Sequence, residues 1–197
     1  MTRARDVAKQ GGLTAIVPTS IVKGASGTAS VAANGAVTFA GTEFVTLNGV
    51  FTSTYDNYKF VFSGYNPTSQ HALTVQFTSA GTAATGSNYR FASYYATGSS
   101  ASGLNFVNNA TTQATIGQLL PTYVNGNFWS YDIYGPAQPY LTNAFGGGSY
   151  QDGGTTVWTS ATWSHTVNTS YDGIKVMNGS ASTMTGTVRI YGYNNGA

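Results

Sequence analysis

Apolar and polar positions alternate with a period of two through much of this chain. In the segment Tyr58 to Phe62 the rings of Tyr58, Phe60 and Phe62 alternate with Lys59 and Val61, which places three aromatics on one face of a strand. Ala72 to Phe77 alternates strictly, with Leu73, Val75 and Phe77 pointing one way. Thr155 to Trp163 sets Val157, Thr159 and Ala161 against Trp158 and Ser160. The terminal segment Gly186 to Tyr193 has the same character as Tyr58 to Phe62. The two are expected to lie in one core, with their pairing left open.

Turn signals punctuate these runs. Asn34-Gly35 reads as a two-residue turn between Ala29–Ala32 and Ala36–Phe39. Asn48-Gly49, Asp152-Gly153, Asp172-Gly173 and Asn178-Gly179 mark further turns. Additional strands are expected at 43–47, 89–95, 116–124, 127–134, 141–145 and 173–176. The Ser-, Asn- and Gly-rich stretch 97–115 reads as a long loop around a short strand at Leu104–Phe106, and Gly146-Gly147-Gly148 as a break. The loops 97–115 and 146–154 are expected to face outward.

About ten strands with frequent turns predict an all-β fold, an antiparallel β-sandwich or jelly roll. Only residues 2–12 have helical composition, with Thr2 as a cap and Gly11-Gly12 as a stop. So short a helix is marginal in isolation and is expected to order against another surface. Pro18 makes 13–24 an extended segment or edge strand. The expected organisation is an N-terminal anchoring arm over 1–25 and a β-sandwich domain over 26–197.

Charged residues make up 7% of the chain, against roughly 25% in typical soluble domains. Hydroxyls and amides must therefore carry most of its surface polarity. The formal charge of +2 is local: Arg3, Arg5 and Lys9 oppose only Asp6, while the five later basic residues cancel five later acids. A neutral body speaks against a nucleic-acid-binding face. The chain has no cysteine, so disulfides and thiolate metal sites are excluded. No apolar run approaches the ~18 residues of a membrane span, and the charged N-terminus lacks the apolar run of a signal peptide.

Catalytic chemistry finds little support. His71 and His165 are isolated, and no Gly-x-Ser-x-Gly elbow accompanies the many serines. Asp56, Asp152 and Asp172 stand at turn positions with a local backbone role, which leaves Asp132, inside an aromatic run, as the acid without such an explanation. The glycine runs lack the lysine of a phosphate loop. No enzyme, metal site or cofactor is expected. Binding is the remaining class: tryptophan and tyrosine offer ring faces to sugar C–H groups, and amides and hydroxyls meet sugar hydroxyls. Tyr94, Tyr95, Trp129, Tyr131, Trp158 and Trp163 are the candidates for ligand or subunit contact, although such side chains more often fill a core. Aromatics on both faces of several strands need a second cover, which points to an oligomer.

Three stretches carry a family resemblance. They are the opening Thr2-Arg3-Ala4-Arg5-Asp6-Val7-Ala8, the hairpin with Asn34-Gly35 and Val37-Thr38-Phe39, and Leu47-Asn48-Gly49-Val50-Phe51-Thr52-Ser53-Thr54-Tyr55-Asp56-Asn57-Tyr58. Together with the ending Gly186-Thr187-Val188-Arg189-Ile190-Tyr191-Gly192-Tyr193 they resemble virion proteins of tailed bacteriophages, of the small tail-fibre, neck-fibre or head-decoration type. The resemblance implies a non-enzymatic, oligomeric surface protein, a homotrimer if part of a fibre, assembled in the host cytoplasm without a signal peptide. Residues 2–12, with Arg3, Arg5, Asp6 and Lys9, would anchor it to other virion proteins. The body would form an exposed appendage touching host surface polysaccharide. A capsid decoration protein at capsomer junctions and a stand-alone carbohydrate-binding module are the alternatives.

Overall fold

The computed structural model describes residues 12–66, 68–97, 100–121 and 127–194, for 100–109 the backbone alone. The arm residues Arg3, Arg5, Asp6 and Lys9 lie outside the described residues. The first strands are β1 (Thr14–Ile16), β2 (Ser20–Lys23), β3 (Thr28–Val31), β4 (Val37–Thr42) and β5 (Phe44–Asn48). Then come β6 (Asn57–Tyr65), β7 (His71–Ser79), β8 (Thr82–Ala83), β9 (Tyr89–Thr97), β10 (Ser100–Thr111) and β11 (Ala114–Leu119). The chain closes with β12 (Phe128–Tyr134), β13 (Thr142–Asp152), β14 (Thr155–His165), β15 (Gly173–Asn178) and β16 (Met184–Tyr193).

The strands form an antiparallel β-sandwich. The larger sheet runs β10-β9-β14-β13-β12-β6-β16-β4-β3, with β1 on β16 beyond β4; the smaller runs β11-β7-β15-β5-β2, with β8 on β7. β6 and β16 pair directly, Phe62 opposite Val188 and Phe60 opposite Ile190, so the two aromatic-rich strands sit side by side at the centre. Tyr58, Phe60 and Phe62 all point into the core against the smaller sheet's Leu73, Val75 and Phe77. Tyr58 also fixes the preceding loop: its hydroxyl donates to the Thr52 carbonyl and accepts from the Thr52 N–H, both at 2.6 Å. The segment 14–23 contributes one edge strand to each sheet, β1 and β2.

The structure corrects three local expectations. The Asn34-Gly35 turn has a three-residue loop instead of two: the Gly35 N–H donates to the Ala32 carbonyl and the Ala32 N–H to the Ala36 carbonyl. Only Gly35 takes positive φ there, the signature of a type I turn closed by a glycine bulge. The stretch 97–115 consists mostly of strands, β10 at the sheet edge and the start of β11. Residues 146–152 likewise continue β13 instead of forming an outward loop, and only Gly153-Gly154 turn the chain into β14. The three glycines persist in a central strand because their neighbours leave no room for a side chain. A Cβ on Gly146 would strike the Ser130 carbonyl, and one on Gly148 the Phe128 carbonyl and the Trp129 indole.

Candidate functional site

The register of the larger sheet shows where the sandwich is filled and where it is open. On its inner face one row reads Phe91, Trp163, Ala144, Ile133 and Tyr58 across β9, β14, β13, β12 and β6. The next row reads Ser93, Ala161, Gly146, Tyr131 and Phe60, and the next Tyr95, Thr159, Gly148, Trp129 and Phe62. On β6 every row ends in an aromatic ring. On β9 and β14 the second and third rows hold the small side chains Ser93, Ala161 and Thr159.

That thinning, under the edge strand β11 of the smaller sheet, opens a cleft of about 580 Å³. Its volume falls within the roughly 300–1,000 Å³ of small-molecule sites. Tyr95 and Tyr150 stand on β9 and β13 on either side of a floor made by Val157 and Thr159 of β14. Asp152 follows Tyr150 on the same face, about 7 Å further along the strand. Gln70 and Gln118 line the opposite wall, from the residue just before β7 and from β11. The Thr159 hydroxyl is buried without a hydrogen-bond partner among the described residues. Burial, then the nearby Asp152 carboxylate and Tyr95, push the Tyr150 hydroxyl above the usual phenol range and keep it protonated. The cleft therefore offers two ring faces, hydroxyl and amide groups able to donate, and one carboxylate able to accept.

The outer face of the same sheet carries a second aromatic group. Trp158 is 53% and Phe145 58% exposed, and Tyr94 and Phe128 are also exposed. Trp158 and Phe128 flank Ser149 in one row; Tyr94, Ser160, Gly147 and Ser130 form the next; Phe145 stands in the row beyond. Four rings thus surround a floor of small residues. Asp132 lies on this face and is engaged by Lys59 and Tyr193.

The six sequence-predicted aromatics consequently separate into three groups. Tyr95 lines the cleft, while Tyr94 and Trp158 lie on the outer face. Trp129, Tyr131 and Trp163 are corrected to core: Trp129 and Tyr131 are 0% and Trp163 2% exposed. Each occupies an inward position, where packing against the smaller sheet excludes both ligand and subunit; Tyr131 satisfies its hydroxyl on the Ile116 carbonyl at 2.5 Å. Sequence reading missed Tyr150, Asp152 and the glutamines as a group, because their convergence depends on which strands become neighbours. It also missed Phe128 and Phe145: alternation sets each opposite its neighbour Trp129 or Ala144 but does not say which of the two faces outward.

The histidines have local partners. His165 sits among Phe77, Tyr89 and Tyr171, with Nδ1 2.8 Å from the Tyr171 hydroxyl. His71 Nε2 lies 2.7 Å from Ser69 Oγ. Among the described residues no carboxylate is hydrogen-bonded to either imidazole, and no three His, Cys, Asp or Glu side chains gather as a metal cage requires.

No family model and no curated protein matches this chain. Among solved structures it is similar to lectin II from Ulex europaeus, at 12% identity and a TM-score of 0.31 over 91% of this chain and 96% of the lectin. It is also similar to lectin UEA-II complexed with galactose, at 11% identity and a TM-score of 0.31 over 92% and 97% of the two chains. A third is the SPRY domain of human HERC1, at 9% identity and a TM-score of 0.28 over 85% and 98%. At that overlap nothing about the site follows from them.

Proposed function

We propose that this chain is a non-catalytic carbohydrate-binding β-sandwich and that the cleft beneath β11 holds the sugar. The observation that carries this reading is the row of small inner-face residues, which leaves a cleft flanked by the rings of Tyr95 and Tyr150 and lined by Asp152, Gln70 and Gln118. A sugar presents C–H faces to aromatic rings and hydroxyls to carboxylate and amide groups, and the cleft supplies both kinds of partner. Glycan-array screening followed by calorimetry tests it. Tyr95→Ala and Tyr150→Ala are each expected to weaken a bound glycan about three- to tenfold, the usual worth of an aromatic contact. Binding unaffected by both substitutions would remove the cleft from consideration.

The exposed rings Trp158, Phe145, Phe128 and Tyr94 favour a second, compatible role for the outer face, as the contact between copies of this chain. A virion setting, in which the sugar is a host surface polysaccharide and the oligomer a trimer, is our proposal from the family resemblance alone. Cryo-electron microscopy of purified virions tests it. A few copies at the tail or neck support an appendage, copies at every capsomer junction indicate a decoration protein, and absence from particles leaves the stand-alone module.

A further inference from the structure

Resting on the sugar-binding reading, we infer that the cleft selects glycans without acidic groups and that Asp152 is the residue that imposes this selection. Asp152 is the charged side chain among the described residues lining the cleft, and no lysine or arginine lines it. Tyr95, Tyr150 and Asp152 all line the same cleft. A uronate, sialate or sulfate brought into that space meets a like charge, with no cation among the described lining residues to offset it. A neutral sugar meets the opposite situation. Two neighbouring hydroxyls can donate to the two carboxylate oxygens, and hydrogen bonds to a charged acceptor are the stronger kind. Gln70 and Gln118, on the facing wall, can donate to or accept from the remaining hydroxyls or an N-acetyl group.

The test uses the whole chain and matched pairs of glycans: cellobiose against cellobiouronic acid, and N-acetyllactosamine against its sialylated form. Affinities are read by calorimetry for the wild type and for Asp152→Asn. Asp152 is exposed at the end of β13, outside the core, so this variant keeps the fold. For at least one pair, the wild type is expected to prefer the neutral member by about tenfold or more. Asp152→Asn is expected to weaken the neutral glycan by about tenfold and to bring the two members within about threefold of each other. An acidic member bound as tightly as its neutral partner, or a preference unchanged in Asp152→Asn, overturns the assignment while leaving the sugar-binding reading intact. Failure of every glycan, neutral and acidic, to bind overturns the sugar-binding reading and this assignment with it.

Discussion

Lys59 Nζ sits 3.0 Å from both carboxylate oxygens of Asp132, directly across the β6–β12 register, and the Tyr193 hydroxyl donates to Asp132 Oδ1 at 3.1 Å. The acid that the sequence left unexplained is therefore one member of a cross-strand ion pair on the outer face of the larger sheet. Both partners are about 30% exposed, so solvent screens much of their attraction. Asp132→Asn is expected to cost less than about 1 kcal/mol in urea denaturation and to leave glycan affinity unchanged, because the cleft opens on the other face. A loss of glycan binding in this variant would place the site on the outer face.

Trp129 has the opposite character. Its ring is fully buried between β12 and the smaller sheet, close against Gly117 and Gly148. Trp129→Ala is expected to destabilise the fold by about 3–5 kcal/mol, the usual range for emptying a core aromatic site. Gly117→Ala should act on the same contact from the other side, since a Cβ there would run into the indole; about 1–3 kcal/mol is expected from overpacking. Equilibrium denaturation of both variants checks the pair.

His165 makes stability depend on pH. Burial holds its pKa below the ordinary 6.5, so the folded protein keeps the imidazole neutral while the unfolded chain protonates it. Below about pH 6.5 the unfolded state binds more protons, and stability falls as pH drops toward the folded pKa. The denaturation midpoint is expected to be lower at pH 5 than at pH 7.5, with a smaller difference in His165→Gln. Glu43, whose pKa is also lowered, through hydrogen bonds with Ser26, contributes only below its ordinary value of 4.5. The window from pH 5 to 7.5 therefore isolates the histidine from it.

Trp158 projects from the outer face between Ala96 and Ser149. Trp158→Ala is expected to change monomer stability by no more than about 0.5 kcal/mol. If this face joins copies of the chain, the same substitution lowers the mass measured by light scattering across a dilution series, and Phe145→Ala acts in the same direction. A mass unchanged by both would exclude this face as the contact.

The alternation in Tyr58–Phe62 and Ala72–Phe77 was enough to establish strands and their buried faces, because side-chain direction in a strand follows a period of two whatever the partner. The same rule makes 127–134 a two-faced strand, yet it does not say which face is inward. Trp129 and Tyr131 were as eligible for a ligand as Trp158 until β12 was seen between β6 and β13, with Trp129 and Tyr131 toward the smaller sheet. The glycine run at 146–148 was misleading for a related reason. Gly favours turns when judged alone, but in β13 it answers the close approach of β12 and β14, which local sequence does not contain.

By itself, then, the sequence determined that the chain is all-β, poor in charge, without cysteine, and furnished with more aromatic rings than one core face needs. Those properties are local or compositional. The tertiary structure decided that Ser93, Ala161 and Thr159 meet near one end of the sandwich, and that Tyr95, Tyr150 and Asp152 gather around the space they leave. These residues come from β9, β13 and β14, and only the non-local pairing of antiparallel strands fixes which of their side chains become neighbours.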